Sequence, residues 1–248
     1  MSQALSRKQR EIQQRDHLIL DAATDILRQE GFNALSMERI AQAIEYARAT
    51  IYQHYPNKEE IVAALCIRSM RSMVDLFDRA LEFKGRSRER IVAVMLAYEL
   101  YWRLYPNDMQ DFQVIKNEAI RSKLSEASLE TISSLEQHTL GCIASVVREA
   151  LAEGDITLTD ITPEELIFGL WAMAFGAISL HSSDIPLAEL GVSNPMATAR
   201  AHARRLLDGY NWQPTSDSWN YDKTVNQILN SVFAKESANI SFPKEKTA

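Results

Sequence analysis

Apolar residues in this chain recur at spacings of three and four, and no stretch shows a convincing strand alternation. From Asp16 to Glu30 they fall at Leu18, Ile19, Ala22, Ala23, Ile26 and Leu27, one face of a helix that Gly31 stops. Ser36 caps a second, short helix whose inner face is Met37, Ile40, Ala41 and Ile44, with Glu38 near its positive end. A third short helix runs from about Ala47 to Tyr55 and stops at Pro56. In "PNKEEI" the chain restarts, and Asn57 caps a long helix that reaches about Phe83. "KGRSRER" is a polar joint. Helices follow near 87–105, 109–122, 125–153, 163–182 and 195–209, punctuated by Pro106, Gly154, Pro163, Pro186 and Pro195. After the loop "NWQPTSDSWN" a smaller amphipathic helix spans 221–234.

The predicted fold is therefore all-α. It divides into a basic flexible arm (1–15), a three-helix domain with a helix-turn-helix (16–64), a larger helical regulatory and dimerisation domain (65–234) and a polar tail (235–248). The boundary near Leu65 lies inside the long helix, so one continuous helix would couple the two domains mechanically.

The third helix, "ARATIYQHY", decides what the small domain is for. At helical spacing Ile51 and Tyr55 turn inward with Ile40 and Ile44, and Arg48, Ala49, Tyr52 and Gln53 turn outward. Two short helices joined by a tight turn place the second in the DNA major groove. There Arg48 suits guanine O6 and N7, and Gln53 suits adenine. Thr50, Tyr52, His54, Lys58 and Ser36 suit phosphate oxygens, which fix register without reading sequence. The arm adds Arg7, Lys8, Arg10 and Arg15. The competing reading is a plain surface helix with an aromatic core residue. The order helix, Gly, capped helix, short helix, Pro-Asn-Lys-Glu argues against it.

The same residues carry a resemblance. Residues 16–64, through "ILDAATDILRQEGFNALSMERIAQA" and then "TIYQHYPNKEEI", resemble the DNA-binding domain of TetR-family transcriptional regulators. Tyr52, Tyr55, Asn57, Lys58 and Glu59 match the family's aromatic pair and the start of its long helix. The resemblance implies an all-α homodimer, a divergent ligand-binding C-terminal domain, and repression relieved by a small molecule. It covers about a fifth of the chain, and two positions depart from it. Glu45 stands where the family's turn usually has Gly, a site that needs left-handed backbone. Ala47 stands where Ser or Thr often caps the recognition helix. Both bear on the turn, on DNA affinity and on the operator sequence.

Charge adds little to this picture. The formal net charge is −6, and residues 1–60 hold eight Lys/Arg against nine Asp/Glu, so DNA binding must rest on placement of charge. Cys66 and Cys142 match neither a disulfide framework nor a zinc spacing; buried reduced thiols of a cytoplasmic protein are expected, with a redox pair as the alternative. No Gly-rich phosphate loop, metal-ligand cluster or nucleophile elbow points to an enzyme, a metal or a cofactor. The uncharged stretch Leu166–Leu180 is shorter than the roughly 20 residues that span a bilayer.

That stretch, "LIFGLWAMAFGAISL", has no charge on any face and needs cover all round. Gly169, Ala172 and Gly176 form one stripe, and Ala199, Ala203 and Leu206 another on the next helix. Two such helices from each subunit would build a four-helix dimer seam, the place to which the resemblance also points. A buried helix within one subunit is the alternative. The run "RIVAVMLAYELYWRLYP" supplies Tyr98 and Trp102, which with Phe112, His138, Trp171 and Phe175 are candidates to line a pocket for a hydrophobic or aromatic effector. Each ring is equally at home in a core. The partners expected are operator DNA, a second copy and a small-molecule effector. An activator and a repressor read alike here, and Glu45 and Ala47 keep open an interaction protein with a decayed DNA domain.

Overall fold

The computed structural model describes residues 6–108, 114–183, 185–238 and 240. The chain separates into two compact units, one of residues 1–70 and 107–133, the other of residues 71–106 and 134–248. The described residues are helical and hold no strand.

The first unit opens with α1 (Arg7–Glu30). The arm expected over 1–15 is therefore helical from Arg7 onward. Ser6 accepts from the Gln9 amide at 3.3 Å while the Gln9 side chain accepts from the Ser6 amide at 2.8 Å, a capping box. Arg7 and Glu11 add an ion pair one turn on. Gly31 ends α1 with φ 78°, its N–H bonded to the Leu27 carbonyl. A short 3-10 turn (Phe32–Ala34) leads to α2 (Met37–Ala43), capped by Ser36, whose hydroxyl accepts from the Arg39 amide at 3.2 Å. Then come α3 (Arg48–His54) and the start of α4 (Lys58–Leu81). Asn57 caps α4 through the Glu60 amide at 2.8 Å. The core of this unit is Ile19, Ala23, Leu35, Ile40, Ile51, Ile61 and Leu65, all under 2 % exposed.

Residues 107–133 belong to the same unit and include α6 (Glu118–Arg121) and the first turns of α7 (Glu126–Glu153). Part of the helix expected over 109–122 lies outside the described residues. The first turn of α4 holds this segment. Glu59 accepts from Lys123 at 2.8 Å, and Glu60 accepts from the Ser125 amide and from the Ser128 hydroxyl at 2.6 Å. Burial raises the Glu59 pKa, but Lys123 and the helix-start amide outweigh it and hold the carboxyl below its ordinary value.

The second unit holds the end of α4, then α5 (Ser87–Leu104), most of α7, α8 (Pro163–His181), α9 (Pro195–Gly209), α10 (Tyr221–Ser231) and α11 (Ala234–Ser237). α5 is buried almost all round, as an apolar run on every face requires. Its charged residues are neutralised in place. Arg88, fully buried, pairs with Asp208 at 2.8 Å and donates to the carbonyls of Trp212 (2.6 Å), Pro214 (2.9 Å) and Arg204 (3.1 Å), which fixes the chain leaving α9. Helices α8 and α9 pack along each other. The tail expected from Lys235 begins inside α11, where Glu236 pairs with Arg79.

Candidate nucleic-acid interface and ligand cavity

The turn between α2 and α3 is a Schellman motif. Tyr46 N–H bonds the Ala41 carbonyl at 3.0 Å, and Glu45 N–H bonds the Gln42 carbonyl at 3.3 Å. Glu45 occupies the left-handed region, φ 56°, so the geometry that favours glycine is met by a residue with a Cβ. Ala47 sits at the N-cap of α3 in extended backbone and makes no side-chain cap bond. Both departures thus keep the fold and lose stability. Glu45→Gly should stabilise the protein by about 0.5–1 kcal/mol, the Cβ penalty less glycine's own entropy cost. Ala47→Ser should add about 1 kcal/mol. Thermal melts check both; Glu45→Ala keeps the Cβ and should gain nothing.

Ile51, fully buried, seats α3 against α2 and leaves its other face to solvent. Arg48, Ala49 and Gln53 are exposed, Tyr52 is 44 % exposed and Thr50 half-buried. The Arg48 guanidinium lies 5.4 Å from the Tyr52 ring centroid and donates to its hydroxyl at 3.1 Å, so the two side chains are held together on the outer face. Three of the expected phosphate-contact residues, His54, Lys58 and Ser36, have partners within the chain. The His54 side chain is only 9 % exposed and lies 3.6 Å from Asp16, which also accepts from the Tyr55 hydroxyl at 2.7 Å. Burial first, then Asp16, pushes the Tyr55 phenol far above its ordinary pKa. Lys58 donates to the Phe32 carbonyl at 3.2 Å and sits 4.2 Å over that ring. Ser36 is half-buried, its oxygen engaged by the Arg39 amide. The uncovered outer face of α3 is Arg48, Ala49, Tyr52 and Gln53, with Thr50 half-buried.

Of the expected pocket residues, Tyr98, Trp102, Trp171 and Phe175 form one chain of contacts. Tyr98 and Trp102 are buried against each other, with ring centroids 6.0 Å apart and planes at 85°. Burial raises the Tyr98 phenol, and bonds with the Trp102 and Trp171 indoles partly offset it. Trp171 is 41 % exposed and continues to Phe175, 6.0 Å away, on the outside of α8. His138 is exposed and faces Asp78. Phe112 lies outside the described residues.

A cavity of about 500 Å³ opens elsewhere in this unit, between Trp102, Ile178, Pro195 and Met196, with Glu99, Arg103 and His181 among its lining residues. Of the predicted pocket residues it takes Trp102 alone. Nor is the lining uncharged. Glu99, 1 % exposed, accepts from Arg103 at 2.7 and 2.9 Å and pairs with Arg200 of α9, which is 6 % exposed. In the sequence Glu99 and Arg103 stand only as interruptions of an apolar run, since Arg200 lies about a hundred positions on.

The dimer stripes also separate. On α9, Ala199 and Ala203 are 8 % and 1 % exposed, covered within their own chain. Leu206 is half-buried. On α8, Gly169 and Gly176 are half-buried and Ala172 exposed, among Phe168 (61 %), Trp171 (41 %) and Leu180 (45 %). By length and composition α8 would pass for a membrane span, and only 22 % of it is buried in this chain. Cys66 is buried as expected; Cys142 is not.

Residues 19–65 match the family described as "Bacterial regulatory proteins, tetR family". The Fatty acid metabolism regulator protein of Bacillus subtilis is 22% identical over 188 residues, 71% of this chain and 94% of that one. Among solved structures, the TetR family transcriptional regulator PfmR from Thermus thermophilus superposes with a TM-score of 0.58 at 23% identity, covering 77% of this chain and 97% of that one. AibR, solved with isovaleryl coenzyme A and operator DNA, gives a TM-score of 0.52 at 20% identity over 66% of this chain and 86% of its own.

Proposed function

We propose that this chain, a TetR-family transcriptional regulator by its N-terminal domain, is a repressor that a small amphipathic molecule releases from its operator. Its family and fold are those of DNA-binding regulators, not enzymes. One observation carries the DNA reading: α3 is seated by a fully buried Ile51 and presents Arg48 and Tyr52, bonded to each other, on an uncovered face. Arg48 reads guanine, Gln53 reads adenine, and Thr50 and Tyr52 hold phosphates. Two copies, paired along α8, set two α3 helices about 34 Å apart, so the operator is a near-palindrome.

The effector occupies the cavity beside Trp102, its apolar body against Ile178 and Met196 and its acidic or polar head at Arg103. The names of the relatives, a fatty acid metabolism regulator and a protein solved with an acyl coenzyme A, support this class. Helix α4 runs unbroken from Lys58 in the first unit to Leu81 in the second and carries the signal. Couplings of this kind are about 1–3 kcal/mol, a roughly five- to 150-fold change in DNA affinity.

Sites selected from a random DNA pool, then titrated by gel shift across salt concentrations, test the reading. Arg48→Ala should weaken binding by about 1–3 kcal/mol and relax specificity at one base pair per half-site. Tyr52→Ala should weaken binding at every site alike, with a shallower salt dependence if its phosphate contact is lost. If both variants bind like the parent, α3 is not the reading helix. If no sequence is selected by an intact dimer, the domain no longer binds DNA.

A further inference from the structure

We propose that Asp78, His138 and Cys142 form a binding site for a divalent transition metal of the zinc type. Asp78 lies on α4; His138 and Cys142 lie one turn apart on α7, on one face of that helix. All three belong to the second unit. His138 Nε2 is 3.1 Å from Asp78 Oδ1, and Cys142 Sγ is 3.8 and 3.9 Å from the two ring nitrogens. The three donor atoms fall within 4.8 Å of one another. A tetrahedral zinc ion needs its nitrogen, oxygen and sulfur ligands roughly 3.4–3.6 Å apart, so small side-chain rotations would seat one.

The donor set selects the ion. A thiol and an imidazole favour Zn²⁺ and Co²⁺ over Mg²⁺ and Ca²⁺, which take oxygen ligands. A hydrogen-bonded His–Asp pair alone would not need a thiol beside the ring. Asp78 and His138 are about half exposed, so an ion can enter from solvent and keep water in its fourth position. Binding exchanges one proton for the metal: the Cys142 S–H bond breaks, the sulfur–metal bond forms, and the proton leaves to solvent. The bound ion would clip α4 to α7. The sequence pattern does not reveal the cluster, because Asp78 lies 60 positions from His138. The site stands or falls independently of the DNA-binding reading.

Cobalt titration of the full-length, metal-stripped protein tests it. One Co²⁺ per chain should bind with a thiolate-to-cobalt charge-transfer band and the intense visible bands of tetrahedral geometry, and Zn²⁺ should displace it. Cys142→Ser should abolish the charge-transfer band, while Cys66→Ser, changing a thiol that is 1 % exposed, should leave it intact. His138→Ala and Asp78→Asn should each weaken Zn²⁺ binding by more than the roughly 10–100-fold that loss of an outer partner costs. Circular dichroism establishes that each variant is folded. Cobalt bound without a charge-transfer band, or a band that survives Cys142→Ser, overturns the proposal. So does zinc affinity that is unchanged in both other variants.

Discussion

Replacing Phe168 and Trp171 together by glutamate will convert the regulator to monomers and weaken operator binding about 10²–10⁴-fold. Helix α8 is the reason. Phe168, Trp171 and Leu180 are 61, 41 and 45 % exposed in the single chain, and only 22 % of the helix is buried. An apolar face of that size is rarely left open to water. Gly169, Ala172 and Gly176 lie among these residues and let a second helix approach closely. A membrane would cover the same face; under the proposed function a second copy does. Pairing makes the second half-site contact intramolecular, and losing that link forfeits the avidity factor just given. Sedimentation velocity reads the mass and a gel shift reads the affinity. A variant that stays dimeric removes α8 from the seam. A monomer that binds the full operator like the parent removes the dimer from the mechanism.

The parts of this architecture that are legible in the sequence are those that short spacing decides. Periodicity turns Ile40 and Ile51 inward, and both are fully buried; Ser36 and Asn57 stand at helix starts and make the cap bonds expected of them. Glu45 stands where the turn of the resembled family usually has Gly, and its φ is 56°. Other features depend on what lies far away in the chain. A stripe of alanines on α9 announces a close neighbour without saying whose, and here Ala199 and Ala203 are buried within the chain itself. His54 reads as a surface residue on the helix wheel, yet Asp16, nearly forty positions earlier, claims it. Residues 7–15 carry little apolar periodicity, so a helix started by a capping box and an ion pair reads as an arm.

The second large effect lies in the buried charge cluster. Glu99→Gln will destabilise the second unit by about 3–5 kcal/mol, the usual cost of breaking a buried ion pair from one side. The change nearly preserves volume but removes the carboxylate that faces Arg200, a guanidinium 6 % exposed, in a place where water cannot substitute freely. Arg103, 28 % exposed, can turn to solvent and will contribute less. For a chain of this size the loss corresponds to a melting temperature lower by roughly 6–20 °C. Replacing Arg200 as well, by Met, should recover much of it, since the charge left behind is the source of the cost. A loss below about 1 kcal/mol in the single variant would mean that the cluster is effectively solvated. The same variant also interrogates the cavity. Glu99 lines it, so in Glu99→Gln an acid bound there would supply the missing negative charge. Carboxylic acids with apolar tails should therefore raise the melting temperature of the variant more than that of the parent, following RT ln(1 + [L]/Kd). Uncharged analogues of the same length should not. Equal response to both would show that the head group is not read at Arg103.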